Sequence, residues 1–162
     1  MAATDPIRLT DDDARALALR LIRDARFGAL GVLDPASGAP VVTRIAVGTT
    51  PDGQPLTLVS ALAAHTTALR ADPRCSLLLG EPGDRGDPLT HPRITLACRA
   101  MFTDRASPDH ARLRTHYLAS HPKAQLYIDF SDFSFATLRI EAAALNGGFG
   151  KAFRLTTGDL GL

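Results

Sequence analysis

The side chains in this chain that could do chemistry gather first in the stretch VSALAAHTTALRADPR, Val59 to Arg74. A short helix starting near His65 to Thr67, after a strand ending at Ser60, would present free backbone N–H groups and the positive end of its dipole. Such a place suits a phosphate. Ser60, Thr66 and Thr67 add hydroxyl donors, His65 adds a donor or a charge, and Arg44 on a neighbouring expected strand could offer a bidentate fork. The residues alone favour a plainer reading, in which the threonines cap the helix and Arg44 is a surface charge.

Other titratable groups organise less well. His110, His116 and His121 fall in or just after one expected helix at spacings of six and five, which do not stack on one face. They read as solvated surface, and no metal site is expected. Cys75 and Cys98 lie in separate apolar runs without metal-ligand spacing, and each reads as a small core residue. The chain has no Gly-rich phosphate loop, no G-x-G-x-x-G after a strand and no G-x-S-x-G elbow. That leaves NTPase, Rossmann dehydrogenase and α/β-hydrolase chemistry without support.

The elements that must position these residues are legible from periodicity. Thr10 as N-cap, three aspartates after it, and Ala14, Leu17, Ala18, Leu21, Ile22 and Ala25 on one face predict an amphipathic helix. From Phe27 short β-rich runs follow: FGALGVLD, VVTRIAVGTT and PLTLVS, separated by PASGAP and PDGQ. They predict a meander of three antiparallel strands. A turn or two of helix at AAHTTALRA and a fourth strand CSLLLGE come next. PGDRGDPLTHP reads as a loop before the long strand RITLACRAMFTD. Ser107-Pro108-Asp109 starts a helix that ends before Pro122, and KAQLY suggests a second short one. FSFATLRIEAAALNG is the last long strand, GGFG a glycine turn and KAFRLT a closing strand. This order predicts a mainly β fold with flanking helices (α+β), an antiparallel barrel and not a doubly wound sheet.

Bulk properties narrow the partners. The 162 residues fit one domain spanning 1–162, with residues 1–9 expected to be flexible. Hydrophobic residues make up 45% and charged ones 22%, the balance of a globular chain. Lys+Arg number 18 against Asp+Glu 17 with no basic run, so the field that nucleic acid requires is missing. No segment approaches the ~20 apolar residues of a membrane helix, and the start has no leader pattern. No membrane association and a cytoplasmic location are expected.

In order along the chain, VTRIAV, LVSALAAHTTALRADPRCSLLL, DPLTHPRITLACRAMF and the ending AQLYIDFSDFSFATLRIEAAALNGGFGKA resemble the FMN-binding split β-barrel proteins related to pyridoxamine 5'-phosphate oxidase. The resemblance runs from about Arg15 to Leu155. Its HT, DF and GGFG elements are most similar to the haem-utilisation branch, without that branch's further C-terminal domain. It implies that Arg44, Ser60, His65 and Thr66, with Thr67 beside them, hold an FMN phosphate. It implies that Arg93 lies beside the flavin ring, where a strand-edge charge is the plainer reading. Cys98 stands where relatives often carry glycine. The resemblance also makes Asn146, Gly148, Phe149 and Lys151 cofactor-site candidates that approach the flavin across a homodimer interface. In flavoproteins the cofactor carries the chemistry, so the leading expectation is a small FMN-dependent oxidoreductase acting on a small-molecule substrate with an electron donor. Its catalytic residues and substrate are unassigned. No counterpart is evident of the C-terminal substrate segment of the true pyridoxamine phosphate oxidases. The alternatives are a haem-binding or haem-degrading protein and a flavin-binding module without turnover.

Overall fold

The structure, a computed structural model, describes residues 6–162. Its elements in chain order are β1 (Ile7–Arg8), α1 (Asp12–Asp24), β2 (Phe27–Leu33), β3 (Pro40–Ala46), β4 (Gly48–Thr49), β5 (Pro55–Ser60) and α2 (Ala64–Ala71), then β6 (Arg74–Leu79), β7 (Arg93–Phe102), α3 (Pro108–Ser120), β8 (Phe133–Asn146) and β9 (Ala152–Leu155). Short 3-10 turns stand at Pro88–Thr90, Pro122–Leu126 and Gly158–Leu160.

All the strands join one sheet, ordered β1-β9-β8-β7-β6-β2-β3, with β5 also pairing β8 and β4 pairing β5. Every pairing is antiparallel except β1 with β9. The expected split barrel is therefore present, and its sheet is not closed. The middle run of the expected meander, residues 41–50, divides at Val47 into β3, which pairs β2, and β4, which pairs β5, and β5 pairs β8 on its other side. The first half of the long β8 gives β5 a full ladder from Leu56↔Thr137 to Ser60↔Phe133. Between β3 and β5 the barrel is split.

Alternation along the strands sends Leu30, Val32, Ile45, Leu77, Leu79, Ile94, Leu96 and Leu145 into the core, each at most 5% exposed. Helix α1 lays Ala14, Ala18 and Ile22 on that core. Its N-cap is Asp11, whose carboxylate accepts from Ala14 N at 2.8 Å, one residue beyond the expected Thr10. Thr10 is drawn away because its hydroxyl donates to the Arg154 carbonyl at 3.0 Å. Helix α3 and the 3-10 turn after it cover β5 and β8 through a second cluster of Leu56, Leu58, Leu113, Tyr117, Ile128 and Phe135.

Within the segment expected to be flexible, Ile7 and Arg8 pair with Ala152 and Phe153. The rest of that expectation, residues 1–5, lies outside the described residues.

Candidate functional site

The β5–α2 junction forms where sequence reasoning put it. Helix α2 begins after Ala63, which offers no capping side chain, so the first-turn N–H groups of Ala64 and His65 have no carbonyl behind them in the helix. The hydroxyls behave differently from expectation. Thr66 is 1% exposed and its Oγ1 donates to the Ser60 carbonyl at 2.6 Å, so it serves the junction itself. The Ser60 hydroxyl donates to the Asp132 carboxylate at 2.6 Å and accepts from Leu62 N at 3.1 Å. Thr67 is exposed. His65 is half-buried, makes no hydrogen bond or ion pair within the described residues, and burial lowers its pKa, keeping the imidazole neutral.

Arg44 stands across the split. Its guanidinium lies over the Phe27 ring, 5.4 Å from the centroid, and has neither a hydrogen bond nor a carboxylate partner among the described residues. The surroundings follow from register. Arg44 and Leu78 both oppose Ala29, and Val42 opposes Gly31. Successive strand residues alternate faces, so Phe27, Ala29, Gly31, Val42, Arg44 and Leu78 share the outer face. Phe27, Val42 and Leu78 are 41%, 68% and 42% exposed. Ala29 and Gly31 make a low floor between apolar walls, with one unpaired cation at the rim. Such a face can receive a flat, apolar acid.

The remaining candidates sit elsewhere. Arg93 pairs with Asn146 at the far end of β8 from Ser60. Its Nη1 donates to the Leu89 carbonyl at 2.9 Å, and the Asn146 Oδ1 accepts from Gly148 N at 3.0 Å. Gly148 has φ +115°, and a Cβ there would come within 3.0 Å of the Thr90 carbonyl, which explains the glycine. Phe149 is 96% exposed at the turn tip, and Lys151 is exposed beside it. Within one chain, then, Ser60, His65, Thr66 and Thr67 lie at the β5–α2 junction, Arg44 lies on β3 over Phe27, and Arg93, Asn146, Gly148, Phe149 and Lys151 lie around the end of β8.

Sequence reasoning missed Asp132, which fixes Ser60 from 72 residues away and gives no local signal. It also took His121 for surface. That ring stacks on Tyr117 at 4.4 Å, with Nδ1 2.8 Å from the Ser120 hydroxyl and Nε2 3.2 Å from the Arg26 carbonyl. No group of three or more metal-ligating side chains occurs among the described residues, and no helix among them is long and apolar enough to cross a membrane.

A chloroplastic haem oxygenase of Arabidopsis thaliana, HOZ, is 43% identical over 103 residues, which is 63% of this chain and 30% of that protein. The chain thus spans under a third of that relative's length. A solved haem-binding protein from Mycobacterium smegmatis is 29% identical, superposes with a TM-score of 0.83, and is covered over 94% of this chain and 61% of that one. A protein of unknown function from Agrobacterium tumefaciens is 34% identical with a TM-score of 0.79, covering 97% and 65%. At the level of fold alone, the barrel matches a pyridoxinephosphate oxidase family protein of Clostridium acetobutylicum (14% identical, TM-score 0.68, 93% and 99% covered). It likewise matches a FAD-binding protein of Mesorhizobium loti (18%, 0.60, 78% and 87%). A sequence model of the CREG β-barrel matches residues 9–159, nearly the whole chain, and on that match the chain belongs to the CREG β-barrel family, with the split-barrel architecture of the pyridoxine-phosphate-oxidase-like proteins.

Proposed function

We propose that this chain binds haem on the outer face beside the split between β3 and β5. The observation that carries the reading is the low floor of Ala29 and Gly31, walled by Phe27, Val42 and Leu78 and rimmed by the unpaired cation Arg44. Apolar walls remove the faces of a planar macrocycle from water, and Arg44 forms a charge-assisted bond to a carboxylate at its edge. His65 offers a neutral, uncommitted imidazole nitrogen at the adjoining helix start. The haem names of the Arabidopsis and Mycobacterium relatives support this cofactor over flavin. Bound haem would supply redox-active iron, and the protein's share is burial, orientation and the charge at the rim.

A second reading keeps FMN. The free N–H groups of Ala64 and His65 together with Arg44 suit a phosphate, and the FAD-binding neighbour shares the fold. Against it stands the Asp132 carboxylate, whose negative charge sits on the Ser60 hydroxyl that a phosphate would need. In either reading a homodimer accounts for the second residue group, because a second copy can bring Arg93, Asn146, Phe149 and Lys151 toward a face that they do not share in one chain. The FMN-dependent oxidoreductase reading rests on the fold resemblance.

Hemin and FMN titrated separately into wild-type protein and into Arg44→Ala test the assignment. Hemin should bind with a defined Soret band, and the variant should lose roughly tenfold or more in affinity, the value of one charge-assisted bond. FMN binding at equal or higher affinity, with hemin remaining unbound, would overturn it.

A further inference from the structure

The chain's two cysteines, distant in sequence, are set directly opposite each other by the fold: Cys75 on β6 and Cys98 on β7 are register partners. Both side chains face the barrel interior, at 9% and 2% exposure, within one apolar cluster, and both are free thiols. Opposed residues in an antiparallel pair have Cα atoms about 4.5–5.5 Å apart, inside the Cα range that a disulfide spans. Their Cβ atoms, about 4.5–5.5 Å apart, need only a modest approach. The local geometry helps. Strand β8 places one extra residue, Glu141, opposite the step from Ala97 to Cys98, and a bulge of this kind increases twist in the strands it touches.

Access is unequal. Cys75 borders a surface cavity of about 430 Å³ with Gly31, Val32, Pro40, Val42 and Ser76, whereas Cys98 does not line it. A small oxidant therefore meets Cys75 first and finds Cys98 immediately behind.

We propose that Cys75 and Cys98 form a redox modification site, a dithiol that a hydroperoxide converts to a cross-strand disulfide between β6 and β7. In the first step the Cys75 sulfur attacks one peroxide oxygen. The O–O bond breaks, and with hydrogen peroxide one water leaves and a sulfenic acid remains. In the second step the Cys98 sulfur attacks the Cys75 sulfur, the S–O bond breaks, and the hydroxyl departs with the Cys98 proton as a second water. Two thiols are oxidised and one peroxide is reduced to two waters. Burial slows the first step, since it pushes the Cys75 thiol up to about 11 and the Cys98 thiol higher still, with Glu141 adding to both. The reaction accelerates as pH rises toward the Cys75 value.

The test exposes folded wild-type protein, Cys75→Ser and Cys98→Ser to hydrogen peroxide at pH 7 and pH 9, followed by intact mass, thiol titration in denaturant and non-reducing peptide mapping. Wild type should lose two hydrogens and both thiols, yield a peptide joining Cys75 to Cys98, recover with dithiothreitol and react faster at pH 9. Cys98→Ser should accumulate a dimedone-reactive sulfenic acid at Cys75, while Cys75→Ser should resist. The wild-type mass readout stands even where a variant fails to fold. Oxygen addition in wild type without the joined peptide, a disulfide between chains, or retention of both thiols while an exposed control thiol is consumed would each overturn the proposal.

Discussion

Replacing Thr66 by valine separates a structural hydroxyl from a ligand-binding one. Valine keeps the shape and β-branching of threonine and removes only the Oγ1–H that donates to the Ser60 carbonyl at 2.6 Å. That carbonyl is not left orphaned, because Ala63 N still donates to it at 3.1 Å. The loss is thus the net value of one neutral hydrogen bond, about 1 kcal/mol, and not the larger penalty of a buried unpaired group. In a chain of this size that is a fall in Tm of roughly 2–4 °C. Denaturant unfolding followed by fluorescence or circular dichroism would give the free energy, and parallel hemin and FMN titrations the affinity. Affinity should stay within about threefold of wild type, because the hydroxyl is committed inside the junction. Unchanged stability with a tenfold loss of cofactor affinity would show that Thr66 faces the ligand and that the internal bond is not the one that matters.

Three further outcomes follow from particular contacts. Gln54 is 9% exposed and its Oε1 accepts from Ile140 N at 3.0 Å, so Gln54→Leu strands a buried N–H and should cost about 1–3 kcal/mol by chemical denaturation. Gly80 has φ +101°, and a Cβ there would meet the Pro92 carbonyl at 2.5 Å. Gly80→Ala should lower Tm and accelerate proteolysis in the 81–92 loop, while Gly86→Ala, with no neighbour within 4 Å, should cost only its backbone strain at φ +81°. His110 packs against Phe135 with ring centroids 5.4 Å apart, leaves Nδ1 buried without a partner, and has its pKa lowered chiefly by burial and then by Arg105. The unfolded chain therefore binds the proton more readily. Stability is full above the unfolded value near 6.5 and declines as pH falls below it, a decline that His110→Phe should lessen in Tm measured against pH.

What could be read from the sequence and what could not divides along contact range. Helix α1 was legible because its burial face repeats locally, and Pro108 at the first turn of α3 marked that helix. The strands were legible as runs, but their partners were not. Nothing near Ser60 indicates that β5 lies against Phe133 to Thr137, or that Asp132 claims the Ser60 hydroxyl. Thr10 and Asp11 are both capping residues by type, and nothing local shows that the Arg154 carbonyl, 144 residues away, takes the Thr10 hydroxyl. The same blindness hid the Cys75–Cys98 pair, whose spacing matches no local motif. The β5–α2 junction was legible in the sequence, whereas the floor of Ala29 and Gly31 could be recognised only once register placed Val42, Arg44 and Leu78 around it.

The face bounded by Phe27, Val42, Arg44 and Leu78 is the proposed haem site. The most direct measurement is the absorption spectrum of this protein purified from cells supplied with a haem precursor, with the bound cofactor extracted and identified by mass. Haem uptake at that face gives a red preparation with a Soret band whose intensity falls in Arg44→Ala. A yellow preparation carrying flavin alone would contradict it.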